Sequence, residues 1–254
     1  MARKLVLHCR SIDLPASGAP GNGIALHFAT LEDLSRRHDE LNALLDRHEQ
    51  DRAARFVHDK DRLRYVLGHG FMREVLSAVS GVPAELIGFT RGPFGKPRMD
   101  GADLHFNFSD TKDAVLIGIG SEELGVDLET MERRVDHERV AEHYFTPEEV
   151  QEIQVPRPKS EGPDAASEQD DLRKRRFLEF WTRKEAVLKA SGVGIMDDLK
   201  VLRVQDGTHE ISIAHEEFIR MAAAHYHIST LALGAAHVLS VASVPDAGLH
   251  LIRA

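Results

Sequence analysis

The chain has 254 residues, with 32 Lys and Arg against 41 Asp and Glu, so its formal net charge is −9. A hydrophobic fraction of 42% supports a folded core and excludes wholesale disorder, a collagen-like repeat and a coiled-coil rod. The negative charge also disfavours a nonspecific nucleic-acid binder, because neutralising phosphates requires a positive field.

We expect a cytoplasmic protein without a membrane span. The N-terminal residues lack an apolar segment of signal-peptide length. The segment 221–245 contains no Asp, Glu, Lys or Arg and exceeds the ~20 residues that cross a bilayer. Its histidines, serines and alternating small and branched residues instead predict two strands joined near Gly234. The single cysteine, Cys9, excludes an internal disulfide and a cysteine-based zinc site, which indicates a reducing compartment.

The N-terminal part of the chain predicts one strand, two helices and several short strands. Residues 1–23, rich in proline and glycine, predict an irregular lead-in, and 24–31 predicts the first strand. Leucines at helical spacing predict a helix over 31–45, and a stronger pattern predicts a helix over 63–79 that ends at Gly81. Four short strands are then predicted, at 86–90, 104–108, 114–119 and 126–129.

The C-terminal part repeats this order of element types. Helices are predicted at 136–144 and from Pro147, where Thr146 and Glu149 form a capping box. The Pro-, Glu- and Asp-rich segment 155–171 predicts a mobile loop. A helix over 172–191 ends at Gly192, and strands follow from residue 199. We therefore predict an α+β fold of two halves, residues 1–130 and 131–254.

Asp127 and Glu129 are the first candidate functional residues. Alternate residues of a strand share a face, which places the two carboxylates roughly 6–7 Å apart. Their repulsion at that distance is about 2–3 kcal/mol at an effective dielectric near 20. A divalent cation between them would remove this cost, and oxygen ligands suit magnesium. The alternative interpretation is a solvated strand face with two ordinary acids.

The helix over 177–189 carries a second polar cluster. Lys184 falls inside its apolar stripe, Glu185 lies at the edge, and Lys189 follows Glu185 at i+4. Charged groups on a packed helix face are costly unless they are paired or functional. The alternative is a surface Glu185–Lys189 pair with Lys184 extended toward solvent.

A third group lies in the tract 91–110. Gly95 and Pro97 predict a turn that presents Lys96, although the spacing does not fit a phosphate-binding loop. The alternating strand that follows ends in Asn107, Ser109 and Asp110, and its plain interpretation is an ordinary strand end.

Taken together and in order, these tracts resemble the 4′-phosphopantetheinyl transferases of the monomeric, two-domain type that activates surfactin synthetase. The resemblance covers about residues 24–245. Its most specific parts are Gly125-Val-Asp-Leu-Glu129 and Trp181-Thr-Arg-Lys-Glu-Ala-Val-Leu-Lys189. Supporting parts are Arg55-Phe56, Gly95-Lys96-Pro97, Phe106–Ser109 and Phe145–Glu149.

The resemblance implies two similar α+β halves related by pseudo-twofold symmetry. It also implies transfer of the phosphopantetheine arm of coenzyme A to a serine of an acyl or peptidyl carrier protein, with release of 3′,5′-ADP. By resemblance, Asp127, Glu129 and Glu185 hold Mg²⁺. Glu185 takes the serine proton, and Lys189 contacts phosphate.

The resemblance implies a further set of residues that bind coenzyme A: Arg52, Lys60, Lys96, Asn107, Ser109 and Lys184. Asp110 departs from the family, which has a histidine there that helps to bind phosphate. Either another cation nearby compensates for Asp110, or coenzyme A binds more weakly to this protein. A third alternative is that the Asp110 side chain turns away and caps the turn at 111–113. Two other functions stay open, a degenerate relative that only binds carrier protein or coenzyme A, and a magnesium-dependent phosphohydrolase.

Overall fold

The computed structural model describes residues 2–13, 23–154, 165–194, 196 and 198–254. The described strands are β1 (Arg3–Ser11), β2 (Ile24–Thr30), β3 (Phe89–Arg91), β4 (Pro97–Met99), β5 (His105–Asp110), β6 (Ala114–Gly120), β7 (Leu124–Thr130), β8 (Gly207–Ile213), β9 (His225–Leu233), β10 (His237–Ser243) and β11 (Leu249–Arg253). The helices are α1 (Leu31–Ser35), α2 (His38–Ala43), α3 (Arg47–Ala53), α4 (Asp59–Ser80), α5 (His137–Tyr144), α6 (Pro147–Gln154), α7 (Ala165–Ser191) and α8 (Glu216–Met221).

Two sheets and two long helices form the layers of this mixed α+β fold. One sheet has the strand order β11-β2-β6-β5 and the other β7-β10-β9-β1-β8. Apolar residues of both sheets, among them Leu26, Val126 and Leu239, share one core. Helix α4 covers the outer face of the four-stranded sheet, and α7 packs on the outer face of the five-stranded sheet.

Strand β1 corrects the prediction that residues 1–23 form an irregular lead-in. Residues 3–11 pair with β8 in antiparallel and with β9 in parallel orientation, and Leu5, Leu7 and Cys9 face the core. The prediction was wrong here because a strand with charged residues on its open face shows a weak local pattern, and its partners are distant in sequence. Residues 14–22 of that segment lie outside the described part.

Other differences concern helix boundaries. The helix predicted over 31–45 is divided into α1 and α2, and α3 and α8 were not predicted. The prediction of a loop over 155–171 is wrong for 165–171, which begin α7; residues 155–164 lie outside the described part. The capping box at α6 is confirmed, since Thr146 and Glu149 exchange hydrogen bonds between side chain and backbone. No helix among the described residues is long and apolar enough to cross a bilayer.

The two sheets do not divide at residue 130. Strands β1 and β7, from the N-terminal half as predicted, lie in the five-stranded sheet beside the C-terminal strands. Strand β11, at the end of the chain, pairs in parallel with β2. Each half therefore contributes strands to the sheet of the other, which places β7 between the shared core and α7.

The close approach of α7 to β7 depends on Gly125. A Cβ atom at this position would overlap the backbone of α7, at the carbonyl oxygen of Ala186 and the amide nitrogen of Ala190. The face of β7 that carries Gly125 also carries Asp127 and Glu129, because side chains alternate along a strand. Glycine here lets the helix lie close enough for its own polar residues to meet these carboxylates.

Substitution of Gly125 with alanine should therefore lower stability and separate α7 from β7. Overpacking against backbone typically costs about 1–3 kcal/mol, and denaturant unfolding would measure the loss. Gly248→Ala is the matched control, since a Cβ atom there meets nothing within 4 Å. Equal stability of the two variants would contradict the proposed packing.

Candidate active site

Asp127 lies at the centre of a polar cluster between β7 and α7. Its side chain is buried, and its Oδ1 atom accepts hydrogen bonds from Lys189 Nζ (2.7 Å) and Ser109 Oγ (3.1 Å). Its Oδ2 atom is also buried and has no hydrogen-bond partner within the described residues. An unsatisfied buried carboxylate oxygen is costly, so this atom is available to a further ligand.

Ser109 and Asn107 connect the edge strands of the two sheets. Asn107 Oδ1 accepts a hydrogen bond from the backbone N–H of Val126 (2.9 Å), and Ser109 Oγ accepts one from Leu128 (3.1 Å). Lys189 Nζ also donates to Ser109 Oγ at 3.0 Å. The Asn107 side chain therefore bonds only across the contact between β5 and β7 in the described structure. Ser109 bonds across the same contact and also to Asp127 and Lys189 of the polar cluster.

Two further carboxyl groups lie beside Asp127. Burial and the neighbouring Asp127 carboxylate raise the pKa of Glu129 to about 7 and also raise the pKa of Glu185. Arg133 pairs with Glu129 and lowers the pKa of both glutamates. The predicted triad of Asp127, Glu129 and Glu185 is thus brought together, together with a cation that the sequence analysis did not select.

The triad has the chemistry of a site for a hard divalent cation. Carboxylate oxygens are the ligands that Mg²⁺ prefers, and the unpartnered Asp127 Oδ2 atom fits that role. Among the described residues, however, no three such groups already stand in ligating geometry. Lys189 and Arg133 hold two of the carboxylates instead.

The position of Lys184 in the structure does not fit the assignment of this residue to coenzyme A binding. Its side chain is fully buried in the core around α7, and its ammonium group binds Glu149 Oε2 (2.9 Å) and the carbonyl oxygens of Tyr144 and Leu199 (3.1 and 3.0 Å). Burial lowers its pKa to about 8. The sequence placed Lys184 correctly on the apolar face, but its charge is used to link α7 to the cap of α6.

Lys96 lies on the β3–β4 hairpin, where Gly95 has a positive φ of 87°. Its ammonium group does not project freely. It binds Glu123 Oε2 (2.7 Å) and the carbonyl oxygens of Leu124 (2.9 Å) and Ala190 (3.2 Å). Lys96 lines two adjoining cavities of about 360 Å³ each, so it stays a candidate for binding a ligand in that region.

Arg52 and Lys60 are both exposed and lie at some distance along the chain from the cluster, on α3 and at the start of α4. The guanidinium carbon of Arg52 lies 5.3 Å from the centre of the Tyr65 ring. No contact connects either residue with the carboxylate cluster in the described part, and their assignment to phosphate binding stays a prediction.

Asp110 points to the opposite side of β5 from Ser109, toward α4. Its Oδ2 atom lies 3.2 Å from Arg64 Nε, and each side chain of this pair is 38% exposed. The turn at 111–113 is closed by Thr111, whose hydroxyl donates to Asp113 Oδ1. Among the described residues Asp110 pairs with Arg64 and makes no contact with this turn, so the capping role predicted for Asp110 is wrong. Arg64 places a cation beside Asp110, and compensation by such a cation in coenzyme A binding stays a prediction.

Arg133 and Trp181 are the residues of this region that sequence reasoning missed. Arg133 stands at i+4 from Glu129, just beyond the end of β7, and no helical pattern connects the two. Its guanidinium carbon lies 5.4 Å from the centre of the Trp181 ring. Trp181 was named only as the first residue of the motif 181–189 and was given no role, although its indole is partly exposed and packs against Tyr144.

Comparison with known proteins identifies the class. Residues 123–242 match the 4′-phosphopantetheinyl transferase superfamily, and residues 34–122 match the N-terminal domain of 4′-phosphopantetheinyl transferases. The two matches are contiguous and include every residue of the carboxylate cluster. The chain therefore belongs to the 4′-phosphopantetheinyl transferase superfamily.

Several curated relatives carry the same description. The chain is 31% identical over 161 residues to a putative 4′-phosphopantetheinyl transferase of Synechocystis sp., covering 62% of this chain and 61% of the relative. It is 31% identical over 161 residues to HetI of Nostoc sp. (61% and 63%) and over 155 residues to gsp of Aneurinibacillus migulanus (61% and 59%). The chain thus spans about three fifths of the length of these relatives.

A solved structure of a holo-(acyl-carrier-protein) synthase from Bacillus anthracis in complex with CoA aligns with 39% of this chain and 93% of its own. The identity is 17% and the TM-score is 0.31.

The raised pKa of Glu129 predicts how stability depends on pH in the absence of metal. Between about pH 4.5 and pH 7 the folded protein retains a proton that the unfolded chain has released. The free energy of unfolding should therefore fall as the pH rises through this window. Glu129→Gln removes this titration, so it should gain up to about 3 kcal/mol relative to wild type between pH 5 and pH 8.

Denaturant unfolding in the presence of a chelator would measure this difference at both pH values. Glu122→Gln, at an exposed position in the turn before β7, is the matched control and should show no such gain. A Glu129→Gln effect that is the same at both pH values would contradict the raised pKa.

Proposed function

We propose that the protein transfers the 4′-phosphopantetheine arm of coenzyme A to a serine of an apo acyl or peptidyl carrier protein, releasing 3′,5′-ADP. The observation that carries this proposal is the cluster of Asp127, Glu129 and Glu185 with Lys189 beside it. The reaction needs neutralisation of a diphosphate and a base for a hydroxyl group. The cluster offers a base in Glu185, a positive charge in Lys189, and three carboxylates that would hold a divalent cation for the neutralisation.

A Mg²⁺ ion would be held by Asp127, through its unpartnered Oδ2 atom, and by Glu129 and Glu185. When bound, the ion would supply a positive charge that stabilises the diphosphate as the P–O bond between its two phosphates breaks, which leaves one phosphate on the transferred arm and the other on 3′,5′-ADP. Asp127 Oδ1 holds Lys189 in place at the same time. In this proposal Asp127 Oδ1 binds the ammonium group of Lys189, and Asp127 Oδ2 binds the exchangeable metal ion.

Glu185 is the proposed base for the serine hydroxyl. Burial and the Asp127 carboxylate raise its pKa above that of an ordinary glutamate, which makes it a stronger acceptor of a proton. Lys189, one turn further along α7, presents its ammonium group toward the same space and would contact a phosphate oxygen. The surroundings of Glu185 thus set its pKa as a base, and the contacts of Lys189 with Ser109 and Asp127 fix the position of its positive charge.

The phosphates of the nucleotide are proposed to bind Lys96, Ser109, Arg52 and Lys60. Arg64 is added to this set from the structure. Lys96 would have to exchange Glu123 for phosphate, and Arg64 would have to leave Asp110.

The buried Cys9 takes no part, because burial raises its thiol pKa to about 12. We assign the reaction to the cytoplasm and to a monomer.

Incubation of the protein with coenzyme A, Mg²⁺ and an apo carrier protein tests the proposal. The expected result is a gain in carrier mass equal to one phosphopantetheine group, which is lost in the presence of a chelator. Release of a nucleotide product without carrier would indicate a phosphohydrolase. Binding of coenzyme A without transfer to any carrier would indicate a degenerate binding relative.

Glu185→Gln should reduce transfer by orders of magnitude without lowering stability, because it removes a base and a metal ligand from a cluster of like charges. Carrier mass gain and thermal unfolding would be measured in parallel. Glu179→Gln is the matched control on the same helix; burial raises the pKa of Glu179 as well, but its partner is Arg176. Strong destabilisation of Glu185→Gln with normal turnover of the folded fraction would show a structural role instead.

Asp110→Asn should tighten binding of coenzyme A several-fold, because it removes a negative charge and frees Arg64 for phosphate. The gain should shrink at high salt, where screening is stronger. Calorimetric titration at two salt concentrations would measure it.

Asp59→Asn is the control for Asp110→Asn, since it frees Arg62 on the same helix from a similar exposed pair. Equal affinity of the wild type and Asp110→Asn for coenzyme A would show that this pair lies away from the bound phosphates.

A further inference from the structure

Arg133 pairs with Glu129, one of the two carboxylates of the cluster with which Lys189 makes no ion pair in the described part of the chain. Its Nη1 atom contacts Glu129 Oε1, and its charge lowers the pKa of Glu185 as well as that of Glu129. The guanidinium group thus stands close to both glutamates. Glu129 and Glu185, two of the three groups proposed to hold the divalent cation, therefore both interact with the positive charge of Arg133.

Trp181 supports the guanidinium group of Arg133 from the other side. The guanidinium carbon lies 5.4 Å from the centre of the indole ring, a distance at which a cation is attracted to the ring face. Only Glu129 accepts a hydrogen bond from Arg133 within the described part of the chain. The other guanidinium N–H groups are therefore open to another acceptor, since an arginine has five.

A permanent cation on Glu129 and an incoming divalent cation compete for the same carboxylate. Glu129 can bind the metal fully only when it gives up Arg133. The attraction of Trp181 does not depend on Glu129, so the guanidinium group can leave the carboxylate and still remain beside the cluster.

We propose that Arg133 is a displaceable counter-ion of the metal site: it holds Glu129 in the metal-free protein, yields it to the divalent cation, and then donates to the diphosphate of coenzyme A from the face of Trp181. This inference rests on the proposed function, because it takes the divalent cation and coenzyme A from it. It adds a residue that disfavours metal binding and favours substrate binding.

The inference predicts effects of opposite sign for Arg133→Ala. Removal of the competing charge should tighten binding of Mn²⁺, used as a paramagnetic probe for Mg²⁺, by roughly tenfold. The same variant should bind coenzyme A more weakly, by roughly tenfold in saturating Mg²⁺, because a charge-assisted hydrogen bond to phosphate is lost. Mn²⁺ binding would be measured by electron paramagnetic resonance without coenzyme A or carrier protein, and coenzyme A binding by calorimetry.

Trp181 provides an independent signal, because it is the only tryptophan of the chain. Mg²⁺ has no absorption of its own, so a change of tryptophan emission on its addition reports a movement near the indole. Wild type should show this change, and Arg133→Ala should not. Arg133→Lys should restore part of the affinity for coenzyme A, since it keeps the charge without the planar group.

Arg134→Ala is the matched control, at the exposed neighbouring position, and should behave as wild type in all three measurements. Circular dichroism would verify that each variant is folded. Unchanged Mn²⁺ affinity in Arg133→Ala, or loss of both affinities together, would overturn the inference. If wild type itself binds no divalent cation, the metal assignment of the proposed function fails as well, whereas failure of carrier labelling alone leaves the role of Arg133 intact.

Discussion

The proximity of three carboxyl groups on β7 and α7 is the constraint on which this structure depends. Asp127, Glu129 and Glu185 repel one another in a place largely shielded from water, and burial adds to the cost of their charges. Lys189 and Arg133 reduce this cost but leave one net negative charge if all three carboxyls are ionised. A divalent cation would reverse that sign, which suits the proposed binding of an anionic diphosphate.

The contacts between the two sheets, and between β7 and α7, position the three carboxyl groups. Gly125 lets α7 lie against β7, and Asn107 and Ser109 from the neighbouring edge strand bind the outward N–H groups of β7. Because Ser109 also donates to Asp127, the position of the carboxylate is tied to the joint between the two sheets. A change of the angle between the sheets would therefore move the site.

The sequence predicted the parts of the molecule that have a local signature. The helical pattern over 63–79 lies within α4, and the alternation in β7 placed Asp127 and Glu129 correctly on one face. The pairing of β1 with strands about 200 residues away has no local signature, and neither does the partner of a long charged side chain. The turn that presents Lys96 was predicted correctly and the resemblance implied a role in coenzyme A binding, yet the contact of Lys96 with Glu123 depends on tertiary structure.

Hydrogen-bond capacity distinguishes three of the four lysines that the resemblance implied for coenzyme A binding, namely Lys96, Lys184 and Lys189. An ammonium group has three donors, and Lys184 and Lys96 each use three within the described structure. Lys189 uses two, toward Ser109 and Asp127, and its side chain is 28% exposed. A phosphate oxygen can therefore join Lys189 without breaking a contact, whereas at Lys96 it must displace Glu123 or a carbonyl oxygen. Under the proposed function, the fixed position of Lys189 and its unused N–H donor suit contact with the phosphate that reacts. The contacts that Lys96 would have to exchange suit a residue that adjusts affinity for the nucleotide part of coenzyme A.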